Sequence, residues 1–212
     1  MKALFKLILA TAALTAAVCS CAPSDPLIVR TKDGKVKGIE EDGTMAFMGI
    51  PYAKVERFMP PLPVDKWDTV MVCDHFGPQV MQGNGRREMP ESVMSEKNSC
   101  VLNVWTTDTK ASKPVMLWIH GGGFDSGSAA GNPGYGLAKQ DVVVVSLNHR
   151  LNILGFLDLS SFGDKYKNSE WSACSTSSRR SSGYATISRL SAGTLPMSRS
   201  SVSPEAAARS AH

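Results

Sequence analysis

From Leu27 to about Asn168, short apolar runs alternate with turn-forming residues, the pattern of a folded α/β domain. Leu27 to Ala53 reads as short strands broken at Asp33-Gly34 and Asp42-Gly43, both of them hairpin signals. Val101–Thr106, Val115–Ile119 and Val142–Leu147 are apolar runs that suit buried strands of a mixed sheet. The β-branched run Val142 to Val145 suits a central one. Val115–Ile119 leads straight into His120-Gly121-Gly122-Gly123-Phe124. Glycines in such a turn let backbone N–H groups approach a ligand closely, because no Cβ stands in the way.

The alternation stops near Glu170. Residues 171–212 hold five arginines, one glutamate (Glu205) and no lysine, with no helical or strand period. Taken alone, this stretch reads as a disordered polar tail that cannot bury enough apolar surface to offset its ordering entropy.

A His-Gly-Gly-Gly turn after an apolar strand aims fixed N–H donors at the charge that develops on a carbonyl oxygen in acyl transfer. Around it stand Met48-Gly-Ile-Pro-Tyr-Ala53, Glu56-Arg-Phe58 with Pro60-Pro61, and Cys100-Val-Leu-Asn-Val-Trp105. Val142-Val-Val-Val-Ser-Leu-Asn-His-Arg-Leu151 and Gly155-Phe-Leu157 follow. In order and spacing these blocks resemble the type-B carboxylesterases, the cholinesterase and para-nitrobenzyl esterase group. The resemblance implies an α/β-hydrolase fold that is incomplete here: the N-terminal part of the central mixed β-sheet, a small N-terminal antiparallel sheet and the tail. It implies hydrolysis of small-molecule carboxylic esters through an acyl-serine, with no cofactor and no metal. The N–H groups of Gly122 and Gly123 would hold the oxyanion, with His120, Gly121 and Phe124 against the substrate. One departure is visible. The family usually carries Glu-Asp directly before the cysteine of the Cys100 block; this chain has Asn98-Ser99, with Glu96 further back, so the partner of Arg57 is open.

The same chemistry needs a serine in a Gly-x-Ser-x-Gly elbow, a histidine base and an acidic partner. No Gly-x-Ser-x-Gly occurs in the 212 residues. Of the four histidines, His120 belongs to the glycine turn, His149 to a strand end, and His212 is the last residue. His75 reads as a surface group. None stands where the family places its base. The tail's codons suggest why. Ser200 to His212 can be encoded so that reading one base out of phase yields F-G-E-S-G-G-G-G-K-V-S-T, an elbow of the family type. The same operation on Ala173 to Ser198 permits the helix and loop that precede it. The expectation is a frameshift close to Glu170–Trp171, from a sequencing error or a real mutation, with the literal product lacking nucleophile, acid and base. The alternatives are a genuine Ser/Arg tail on a lipid-anchored fragment, or a non-catalytic cholinesterase-like binding module.

The formal charge of +4 resides in the tail and the leader, since residues 22–170 carry 16 basic and 18 acidic groups. Nothing in that body argues for nucleic acid. Residues 1–21 have a charged start, an apolar centre and a small-residue exit, as in a secretory signal peptide. Val18-Cys19-Ser20-Cys21 resembles a bacterial lipobox, with Cys21 as the lipidated residue and a membrane attachment; ordinary cleavage near Ala22 is the alternative. Either reading makes the product exported, as a periplasmic or outer-membrane lipoprotein or as a secreted protein. The expected domains are therefore 1–21 leader, 22–170 esterase-like body and 171–212 tail. Export permits a disulfide. The resemblance suggests a bridge ending at Cys100, for which Cys73 is the available partner, with two buried thiols as the other reading.

Overall fold

The structure is a computed structural model that describes residues 25–83, 90–167 and Ser169. The expected leader with Cys21 and the expected tail lie outside the described residues. The described strands are β1 (Ile28–Arg30), β2 (Lys35–Lys37), β3 (Ile39–Glu41), β4 (Thr44–Pro51), β5 (Val70–Val72), β6 (Val101–Thr106), β7 (Val115–Ile119) and β8 (Val143–Leu147). Two short helices, α1 (Tyr135–Ala138) and α2 (Asn152–Phe156), and two 3-10 turns, Ser160–Phe162 and Asp164–Tyr166, complete the elements.

Both hairpin signals become hairpins. At Asp42-Gly43 both residues have positive φ, 46° and 71°, between the paired Glu41 and Thr44. That is the two-residue turn whose twist matches the flanking strands, and Asp-Gly is well suited to it. At Asp33-Gly34 the Thr31 hydroxyl donates to the Gly34 carbonyl at 2.8 Å and accepts from the Asp33 and Gly34 N–H groups. The hairpin β1–β2 is antiparallel, and β5 extends it as a parallel strand on β2.

The larger sheet has the order β3-β4-β6-β8-β7. Its pairs β3–β4, β4–β6 and β6–β8 are antiparallel and β8–β7 is parallel, the mixed sheet expected. One face packs Phe47, Ile50, Leu102, Val104, Val143 and Val145 against Val36 of the small sheet. The other packs Ala46, Met48, Trp105 and Val144 against Ala138 of α1. All of β8 is buried, as its β-branched run implied.

Val115–Ile119 departs from the buried strand expected of it. As β7 it forms the edge of the sheet, with Met116, Leu117 and Ile119 exposed by 45%, 38% and 51%. Apolar composition marks a residue that can be buried; burial itself depends on what pairs with and covers the strand. Among the described residues nothing pairs with the outer edge of β7.

The bridge between Cys73 and Cys100 is corrected as well. Both are buried free thiols. Strand β4 runs between them: Met48 N–H donates to the Cys73 carbonyl on one edge, and Tyr52 N–H donates to the Cys100 carbonyl on the other. Two strand spacings separate the backbones by roughly 10 Å, beyond the span a disulfide tolerates. Burial pushes the Cys73 thiol up to about 12 and the Cys100 thiol to about 11.

Candidate active-site turn

Strands β7 and β8 run parallel and stay in register to the pair Ile119↔Leu147. The chain therefore leaves both strands at the same end of the sheet. His120 to Phe124 emerges beside Asn148-His149-Arg150. Crevices outside the carboxyl ends of parallel strands are where α/β sheets bind ligands.

The turn closes when the N–H groups of Asp125 and Ser126 both donate to the Gly122 carbonyl at 3.2 Å. Gly122 has φ 129°, Gly123 φ 62° and even Phe124 φ 70°, so three successive residues are left-handed. At Gly122 no side chain would fit, because a Cβ would overlap the Ser126 carbonyl. Residues 121–126 are exposed. The N–H groups of Gly122 and Gly123 have no acceptor among the described residues.

Two side-chain amides and one backbone N–H hold the turn from behind. Gln82 clasps the Gly127 peptide at both ends, accepting its N–H at 2.8 Å and donating to its carbonyl at 3.0 Å. Asn148, buried at the end of β8, accepts from the Ala129 N–H at 2.8 Å and donates to the Pro78 carbonyl at 3.1 Å. Asn152 accepts nothing from the turn by its side chain; its backbone N–H donates to the Phe124 carbonyl at 2.7 Å and its amide to the Met81 carbonyl at 2.8 Å. Phe124 then meets Phe156 of α2 edge to face, 5.1 Å between centroids.

Below the turn, the His120 and His149 rings stack at 4.6 Å with a 4° tilt. Burial lowers the His149 pKa, and the neighbouring His120 lowers it further, against the opposing hydrogen bond to Arg150. Arg150 donates to the Glu56 and Met59 carbonyls at 3.3 Å and 2.7 Å, tying the Glu56-Arg57-Phe58 block under the same end of the sheet. The partner of Arg57 is Glu96, in a forked pair with contacts of 2.5 to 3.1 Å. A glutamate four residues before Cys100 thus supplies the carboxylate, and the Arg57 hydrogen bond holds it below its usual pKa. Tyr52 donates its hydroxyl to the Asn148 carbonyl at 2.6 Å.

Of the residues expected at the site, His120, Gly121, Gly122, Gly123 and Phe124 come together in this turn. Cys73 and Cys100 lie in the core, and Cys21 is outside the described residues. His75 is a surface group on Asp74, as its polar surroundings implied. Sequence reading missed the clasp by Gln82, whose position in a polar loop carries no signal. It also missed the support role of Asn148, although a polar residue closing an apolar run was a usable sign. A cavity of about 650 Å³ lies elsewhere, between β4, Leu62, Val72 and Val101, and shares no residue with the turn.

The sequence model of the carboxylesterase family matches residues 25–168. The chain belongs to the carboxylesterase family. Among curated relatives it is similar to the para-nitrobenzyl esterase of Bacillus subtilis (strain 168), with 40% identity over 153 residues covering 66% of this chain and 30% of that protein. It is also similar to the fumonisin B1 esterase of Sphingopyxis macrogoltabida, with 36% identity over 68% of this chain and 28% of the relative. Among solved structures, the Geobacillus stearothermophilus carboxylesterase EST55 at pH 6.2 superposes with a TM-score of 0.69 at 34% identity, covering 80% of this chain and 36% of that one. An esterase of Clostridium hathewayi gives 0.70 at 33%, covering 77% and 35%. This carboxylesterase-family chain therefore spans about a third of the length of the relatives it matches.

Proposed function

We propose that residues 22–170 are the oxyanion-binding part of an exported serine carboxylesterase acting on small carboxylic esters. The observation that carries this is the exposed Gly122-Gly123 pair, whose N–H groups lack acceptors among the described residues, on a turn clamped from behind. In the reaction a serine hydroxyl adds to the ester carbonyl while a histidine takes its proton. The carbonyl oxygen becomes an oxyanion, which Gly122 and Gly123 receive. The alcohol then leaves and water hydrolyses the acyl-serine. The residue after the serine would give a third donor. Phe124, edge to face with Phe156, would supply apolar contact for the ester. No cofactor enters the scheme.

The 212 residues as written hold no Gly-x-Ser-x-Gly elbow, so on this reading the literal chain lacks its nucleophile, acid and base and is inactive. We attribute the loss to a one-base shift near Glu170–Trp171, with the body and the 171–212 tail on either side of it. Loss of one oxyanion donor costs about 10²–10³ in turnover. Gly123→Pro in a frame-restored chain removes the donor and cannot take the 62° φ of Gly123, so kcat for a p-nitrophenyl ester is expected to fall by at least that factor; unchanged kcat would overturn the assignment. Attachment through Cys21 belongs to the same proposal. Radiolabelled palmitate should enter the chain and be lost in Cys21→Ala, whereas an unlabelled, soluble exported product would favour ordinary cleavage near Ala22. A non-catalytic binding module is the second reading, favoured only if the restored frame hydrolyses nothing.

A further inference from the structure

The stacked histidines beneath the glycine turn have chemistry that the proposed reaction does not use. His120 is 7% exposed and follows β7; His149 is half-buried and follows β8. Each ring places Nδ1 on a backbone carbonyl, His120 on Gly121 at 3.0 Å and His149 on Arg150 at 2.9 Å. A carbonyl only accepts, so both Nδ1 atoms carry a proton, which leaves Nε2 as the atom where a second proton would be taken up. The Nε2 of His120 is fully buried with no partner. Its ring is held between the His149 ring and the Gly127 backbone, where a Cβ would overlap His120 Nδ1 and the Gly121 carbonyl together.

Among the described residues no carboxylate is bonded to either ring. On the β8 side Arg150 turns its guanidinium to the Glu56 and Met59 carbonyls, and Tyr52 directs its hydroxyl to the Asn148 carbonyl. The Gly127 backbone lies against the His120 ring, and the side chains bonded around it, Gln82, Ser126 and Ser128, are uncharged. Asp125 stands on the exposed rim of the turn. The titratable group that acts on His149 is His120 itself. A proton on His149 would place a cation on a half-buried ring stacked against the buried His120 ring, with no carboxylate among the described residues bonded to either ring.

We propose that the His120–His149 stack is a pH-gated floor for the glycine turn: neutral rings hold the turn in place, and protonation releases it. The gate is a property of the turn itself. Only its consequence for activity rests on the oxyanion role proposed above. The lowered pKa of His149 supports the same direction: stability from its neutral form is present above the unfolded histidine value of about 6.5 and is lost as pH falls toward the folded value.

The test is hydrogen exchange by mass spectrometry on the dilute full chain between pH 5 and 8, corrected for intrinsic rates. Peptides spanning 121–128 report the turn, and peptides spanning 142–148 report the core strand β8. Uptake of one proton on opening raises the opening constant about tenfold per pH unit between the two pKa values. Protection in 121–128 should fall by that factor below pH 6.5 while 142–148 stays protected. His149→Phe and His149→Gln, which cannot be charged, should remove the pH dependence; two variants guard against one that fails to fold. Equal loss in both peptide sets, persistence of the pH dependence in both variants, or no protection of 121–128 at pH 8 would each overturn the gate. None of these outcomes depends on hydrolysis, so failure of the esterase reading would be seen separately.

Discussion

Replacing Asn148 with alanine probes the support of the turn most sharply. Asn148 is 2% exposed, and its amide joins three pieces of chain: the end of β8, the Ala129 N–H and the Pro78 carbonyl. Ala129 is 1% exposed, so the N–H abandoned by Asn148→Ala has no water to turn to. A buried polar group left unpaired costs about 1–3 kcal/mol. The Ala129 N–H is the fully buried one and the Pro78 carbonyl is less enclosed, which makes the combined loss about 3 kcal/mol by the same scale. With a urea m-value of about 2 kcal/mol/M for a domain of this size, the unfolding midpoint should fall by about 1.5 M at unchanged m. Ser128 bears on the same Asn148 oxygen at 3.4 Å, a long contact, so Ser128→Ala should move the midpoint by less than about 0.5 M. Tryptophan fluorescence follows the transition, because Trp105 is fully buried in the neighbouring strand. An Asn148→Ala midpoint within about 0.3 M of the parent, a fifth of the expected shift, would show that this amide does not secure the turn to the sheet.

Other consequences can be measured on the same chain. Thiol titration at pH 7 should leave Cys73 and Cys100 unreactive until urea is added, since both are buried with raised pKa values; failure of both to react even in urea would indicate a bridge. Stability contributed by Glu96 is present above the ordinary carboxylate pKa and is lost as pH falls through its lowered folded value. Glu96→Gln should therefore flatten the decline of the urea midpoint between pH 6 and 3, and an unchanged decline would remove Arg57–Glu96 from the account. Exposed apolar edges template association, so Met116→Lys on β7 should shift light-scattering mass toward the monomer; equal self-association would show that another surface is responsible.

The parts of the fold that were legible in the sequence are those fixed by local chemistry. Asp42-Gly43 makes its hairpin because both positions need positive φ. Val143–Leu147 is buried because β-branched residues on both faces suit a strand covered on both sides. Edge position is not local: Val115–Ile119 is as apolar as β8, and only the neighbours decide which strand is covered. The partner of Arg57 was open in the sequence for a related reason. Glu96 reaches it across a fold that brings residues 39 positions apart together, and spacing along the chain does not encode that reach. At the candidate site the glycines announced themselves through composition and their place after a strand. The Gln82 clasp did not, since a glutamine in a polar loop looks the same whether it holds a peptide or faces solvent. The His120–His149 stack required knowing that β7 and β8 are parallel neighbours in register.

The most direct test sets the purified 212-residue chain beside the product of the same gene with one base restored near the codons for Asn168 to Ser172. Both are assayed for hydrolysis of a short-chain p-nitrophenyl ester above a no-enzyme control. The restored chain should turn the ester over and the 212-residue chain should not. Hydrolysis by the 212-residue chain, or a restored chain that folds and hydrolyses nothing, would contradict this expectation.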